Sequence, residues 1–168
     1  MNTPNRHYRL EQINLYEEQA DLFHDILALP HDILHFRHEP GAWSICEHIV
    51  HVAETEVIAF HRYRKAIAEP GSVIPGYEGE IWAASKALAY EAEELADWID
   101  LYRTIRRIGA RHLRRLLGTD WSSFAYVHEG KGPIDLPKWL DLYIHHPTEH
   151  REMIDRVIWA WKEQTASV

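Results

Sequence analysis

Apolar residues recur along much of this chain at alternating steps of three and four, the period of a helix with one buried face. The clearest run covers residues 135–161, where Leu136, Leu140, Tyr143, Pro147, His150, Ile154, Val157 and Trp161 lie on one seam. Asp135 is placed to cap this helix. Pro137 falls in its first turn, where a missing N–H costs nothing. His150 sits on the seam and His146 one turn before it. Imidazoles at i, i+4 are neighbours on one helix face, and this face should point inward. A buried polar group without a partner costs roughly 1–3 kcal/mol. A lone buried His usually settles for one hydrogen bond; a pair asks for more, and a divalent metal is the natural candidate. The zincin helix has a Glu directly after its first His. Here Pro147 stands in that place, so a peptidase of that type has no base. The pair needs a third ligand from another segment.

The rest of the pattern supplies three more long helices. The first is expected over residues 4–29, on Leu10, Ile13, Tyr16, Ala20, Phe23 and Leu27, and Pro30 ends it. His31, His35 and His38 follow in a connection and read as solvated. Ser44 and Glu47 have the spacing of a capping box and open a second helix over 45–66. Ile45, Ile49, Val52, Ala53, Ala59 and Phe60 form its broad apolar face. His48 and His51 lie beside that face. Either can be the third ligand, and spacing does not choose between them. Glu54, one turn past His51, is placed to orient an imidazole as an acceptor. Pro70-Gly71 and Pro75-Gly76 punctuate a long connection holding a short helix over 79–88. A third long helix follows over 92–117, with Gly118 at its C′ position. Residues 119–133, with Trp121 and His128, read as a loop. No strand pattern stands out. These elements make a single domain over 1–168: an all-α, antiparallel four-helix bundle with a long second connection. That connection, roughly 25 residues, exceeds what adjacent helices need and leaves room for a crossover.

Composition narrows the function classes. The chain has 168 residues, 46% hydrophobic and 26% charged, and a net charge of -8. That is the profile of a soluble globular domain, and it opposes a general nucleic-acid or anionic-membrane surface. The arginines from Arg103 to Arg115 follow acidic residues, as in a solvated helix matched to its dipole. Cys46, the one cysteine, has no internal disulfide partner, which suits a cytoplasmic setting. No apolar run reaches the roughly 18 residues of a membrane span, and the opening residues lack a signal-peptide core. Di-iron bundles need Glu-x-x-His on two helices; no Glu of the second or fourth helix has a His three residues on. Phosphate loops, nucleophile elbows and Cys-x-x-Cys pairs are absent too.

Gly41-Ala42-Trp43-Ser44-Ile45 is followed by His51-Val52-Ala53-Glu54. The stretch from Trp82 to Tyr90, then Trp121, His128-Glu129-Gly130 and His146-x-x-x-His150-Arg151 come after it. This ordered set resembles the DinB/YfiT-like proteins, over roughly residues 29–157. The resemblance implies that His51, rather than His48, joins His146 and His150 around one divalent ion. Zn or Ni is expected foremost, with Fe or Mn also suited to such ligands. It implies a homodimer as well. Some members of the family transfer a low-molecular-weight thiol and others are assigned as hydrolases. The expected function is therefore metal-dependent hydrolysis or thiol transfer on a small molecule, with Glu54 and His128 as candidate acid–base groups. The alternative is a non-catalytic, metal-stabilised bundle or interaction protein. A structural zinc site usually has four protein ligands, often with Cys, so three His favour an open site. Two features depart from the family. Pro147 separates the two fourth-helix ligands, and an interior Pro typically costs about 3 kcal/mol. Glu152-Met153 replaces the Gly-Gln that many relatives carry.

Overall fold

Ser44 makes the expected capping box in full. Its hydroxyl accepts the Glu47 amide at 3.3 Å, and the Glu47 carboxylate accepts the Ser44 amide at 2.8 Å. In this computed structural model, which describes residues 3–166 with side chains from residue 6 onward, that box opens the central helix. The long helices are α1 (Thr3–Glu18), α3 (Ile45–Ala68), α5 (Leu95–Arg115) and α6 (Leu136–Ala166). Two short helices, α2 (His31–Leu34) and α4 (Gly79–Ala83), lie in the connections. Asp135 caps α6 by accepting the Lys138 amide at 3.0 Å. None of these helices is long and apolar enough to cross a membrane.

The four long helices form the expected bundle. Both α1 and α3 pack against α5 and α6, so the order around the bundle is α1, α5, α3, α6. The long second connection therefore joins neighbours, and the chain instead crosses the bundle between α1 and α3 and between α5 and α6. The core falls into two apolar clusters. One gathers Tyr16, Tyr63, Trp121 and Trp139; the other gathers Phe23, Ile49, Val52, Tyr102 and Ile154.

Several boundaries differ from the pattern-based expectation. The first helix stops at Glu18 and continues as 3₁₀ turns at Gln19–Asp21 and His24–Ala28. There α5 side chains take the carbonyls: Arg106 donates to Tyr16 O at 3.0 Å and Tyr102 to Gln19 O at 3.1 Å. The short helix ends at Ala83 rather than residue 88. Gly118 has no positive φ; α5 instead closes with tight bonds such as Leu116 N to Leu113 O at 3.0 Å. The presumed loop 119–133 contains two strands, β2 (Ala125–His128) and, running into α6, β3 (Gly132–Asp135). They pair antiparallel, and β1 (Val73–Ile74) adds to β2 in parallel. Strands this short give too little alternation to stand out, although Tyr126 and His128 do point inward. The sheet ties the long connection to the segment before α6 and brings His128 to the bundle.

The arginine run is not wholly solvated. Arg106 is 0% exposed. It donates to Glu56 at 2.9 Å, to Gln19 Oε1 at 2.7 Å and to the Tyr143 carbonyl at 3.0 Å. Tyr143 is the residue whose carbonyl would accept the N–H that Pro147 lacks. The guanidinium supplies the missing donor, and α6 continues unbroken past the proline.

Candidate metal centre

Three imidazoles meet where α3 faces the middle of α6. His51, His146 and His150 each offer a ring nitrogen, and the three atoms lie within 4.8 Å of one another. The i, i+4 spacing sets the two α6 rings edge to face, with centroids 4.6 Å apart. The His51 ring lies 5.4 Å from His146 and 4.8 Å from His150. Trp43, just before the Ser44 cap, closes one side, its ring 5.0 Å from that of His51.

The neighbours fix the rings. Tyr77 lies 3.3 Å from His51 Nδ1 and donates to Glu54 at 3.4 Å. Tyr90 donates to the same carboxylate. Glu54 thus orients His51 through a tyrosine relay rather than by direct contact, and Nε2 of His51 is left for an ion. His48, the other sequence candidate, is not in the cluster. Its Nδ1 lies 2.9 Å from Nδ1 of His150, so it steadies that ring and likewise leaves Nε2. The exposed Glu152 joins no donor set.

Burial keeps all these rings neutral. It lowers His51 and His150 to about 4, His146 to about 2 and His48 to about 3. For all but His150, neighbouring imidazoles add to the effect. Neutral imidazole is the form that binds a metal, and three such donors with an open side suit one divalent ion. The backbone leaves room as well. A Cβ on Gly79 would lie 2.3 Å from Cε1 and 2.7 Å from Nδ1 of His51. Gly79→Ala is therefore expected to displace His51 and weaken zinc binding by about 10–100-fold. Competition with a chromophoric chelator measures this, and circular dichroism should show the bundle intact.

The same shifts set a pH dependence. Unfolded, each His titrates near 6.5; folded, these titrate well below it. Between those values the unfolded chain binds more protons, so stability falls as pH drops. Urea titrations of metal-free protein should show a midpoint that declines from pH 6.5 to about 4. The decline should be shallower in a His48→Gln/His51→Gln variant.

A cavity of about 580 Å³ opens beside the cluster, lined by His51, His146, Thr55, Arg62, Tyr77 and His128, among others. His128 reaches it from β2, with Nδ1 accepting the Gly130 amide at 3.1 Å. Burial, with Arg62 and Lys131 nearby, lowers its pKa. Glu54 does not line this space. Tyr77, Thr55 and Arg62 escaped the sequence reading. Tyr77 lies in an aperiodic connection, whereas Thr55 and Arg62 follow His51 at helical spacing on its own face.

A second donor set, His35, Cys46 and Glu91, also lies within 4.8 Å. Here His35 is half-buried rather than solvated, 2.7 Å from Glu91. Arg37 and Ser44 donate to the other carboxylate oxygen at 2.7 and 2.8 Å. Burial, helped by Glu91 and Glu47, pushes the Cys46 thiol up to about 12. The group is a closed hydrogen-bonded knot that pins the start of α3.

Fold and cluster together define a helical-bundle protein with a three-histidine candidate metal centre. The chain belongs to the DinB superfamily, whose family model matches residues 14–154. Among solved structures it is similar to YfiT from Bacillus subtilis, described as a probable metal-dependent hydrolase with an unusual four-helix bundle topology. That likeness has a TM-score of 0.76 at 17% identity and covers 94% of this chain and 87% of that one. None of the curated proteins matches.

Proposed function

We propose that this protein is a metal-dependent enzyme that acts on a small molecule, by hydrolysis or by transfer of a low-molecular-weight thiol. The observation that carries the reading is the convergence of three neutral imidazoles beside a cavity. A closed structural site would need a fourth protein ligand, and none joins the three among the described residues. The description of YfiT as a probable metal-dependent hydrolase supports the same reading.

His51, His146 and His150 would hold the ion, with zinc or nickel suited to imidazole donors. A divalent ion there supplies a Lewis acid that acidifies water or a thiol toward neutral pH. The protein's own groups do the rest. His128 is neutral, and its Nδ1 accepts from the Gly130 amide, so its proton sits on Nε2, the nitrogen that donates to negative charge building on the substrate or leaving group. Glu54 and Tyr77 position His51, and Trp43 shields the cluster from one side.

The test is turnover by zinc- and nickel-loaded protein on activated esters, small amides and thiol–electrophile pairs. The reading expects activity that chelation removes and His146→Ala abolishes, with His128→Gln lowering kcat more than metal affinity. A tightly bound ion that raises thermal stability strongly, with no turnover on any class, would favour the non-catalytic bundle instead.

A further inference from the structure

Two arginines are buried in this bundle, and the protein treats them differently. Arg106 has a carboxylate partner, and each guanidinium nitrogen has an acceptor. Arg62, 6% exposed, has no carboxylate within 4.0 Å among the described residues. Its Nη1 donates to the Tyr143 hydroxyl at 3.1 Å and its Nη2 to Pro75 O at 3.2 Å, but its Nε has no acceptor. Thr55, 7% exposed, has its hydroxyl covered and beside that of Tyr77. Both side chains line the cavity that His51 and His146 also line. A buried charge lacking its counter-charge is costly. A guanidinium without a counter-charge at the wall of a cavity marks a place for a ligand rather than for stability.

We propose that this cavity seats a carboxylate of the substrate on Arg62, next to the three-histidine centre. The inference rests on the reading of that centre as the place of reaction and adds the substrate class: a small carboxylic acid with its reactive group beyond the carboxylate. Nη1 and Nη2 each keep a second N–H beyond those given to Tyr143 and Pro75, so the guanidinium offers two donors to an anion with two oxygens, the arrangement that makes charge-assisted bonds strong. Lys131 and His128 line the same space and favour a negative guest. Glu78, Asp141 and Glu149 line it as well, but all three are exposed, where water screens them, and none pairs with Arg62.

The test uses the full chain, both metal-free and zinc-loaded, with benzoate, its neutral counterpart benzamide, and inorganic phosphate as probes in calorimetric titrations. Benzoate should bind both forms, and benzamide about tenfold more weakly or worse. Arg62→Met should cost benzoate affinity at least about tenfold and leave zinc affinity unchanged. Thr55→Val, which removes a covered hydroxyl on the same wall, should leave benzoate affinity within about twofold and serves as the control. Should Arg62→Met fail to fold, the comparison of benzoate with benzamide on the unmodified protein decides. Equal binding of benzoate and benzamide, or benzoate affinity untouched by Arg62→Met, overturns the proposal, and so does phosphate binding more tightly than benzoate. Arg62-dependent benzoate binding without any turnover would refute the enzymatic reading and leave the carboxylate site standing. Turnover without it would do the reverse.

Discussion

Arg106→Ala should destabilise the fold by about 3–5 kcal/mol, the range for breaking a buried ion pair from one side. The substitution leaves the Glu56 carboxylate in the core, 2% exposed, without its cation. It also strips the donor from the Tyr143 carbonyl, which Pro147 cannot supply from within the helix. Burial already pushes the Glu56 carboxyl above its usual range, against the pull of Arg106 and the Tyr16 hydroxyl. Without Arg106, Glu56 should take up a proton at a still higher pH. A domain holds only about 5–15 kcal/mol of stability in all, so the variant should be marginal or unfolded at ambient temperature. Urea denaturation followed by circular dichroism measures it. Arg107→Ala serves as the control: that side chain is exposed and pairs with an exposed Asp21, and such surface pairs contribute little. Comparable losses in the two variants would contradict the role given to Arg106.

His146→Ala should lose divalent-metal binding outright. Removing a partner that only orients a ligand costs about 10–100-fold in affinity, and removing a ligand should cost more. Zinc at about a thousand times its dissociation constant should stabilise the unmodified protein by about 4 kcal/mol, and the same concentration should leave the melting temperature of His146→Ala unmoved. His48→Ala and Tyr77→Phe should fall between, because they touch the rings of His150 and His51 without belonging to the cluster. Elemental analysis and thermal melts with and without zinc read all four proteins. A His146→Ala protein that binds zinc as tightly as the original would remove the centre from the account.

Much of this architecture is legible in the sequence, because helices advertise themselves by a period that one buried face imposes. The α6 seam placed His146 and His150 together, and Ser44 with Glu47 announced the start of α3. Choosing His51 over His48 needed the family resemblance. Both lie next to the apolar face, and only the three-dimensional contact of His48 with His150 shows why it is not in the cluster. Other features lie outside what a period can carry. Arg106 looks like its neighbours in an arginine run, and only the packing of α1, α3 and α6 around it reveals a core cation. Pro147 reads as a defect until the guanidinium that replaces its missing donor is seen. The strands β2 and β3 have four residues each, too few for alternation to register. Tyr77 sits in a connection with no periodicity, yet it carries the link between Glu54 and His51.

The most direct test of the central claim is anomalous diffraction from a crystal of the zinc-loaded protein, recorded on both sides of the zinc edge. The account predicts one strong peak bonded to nitrogens of His51, His146 and His150, with its open side on the cavity that Arg62 and His128 line. A peak only at His35, Cys46 and Glu91, or imidazoles at 51, 146 and 150 turned apart with no peak between them, would contradict it.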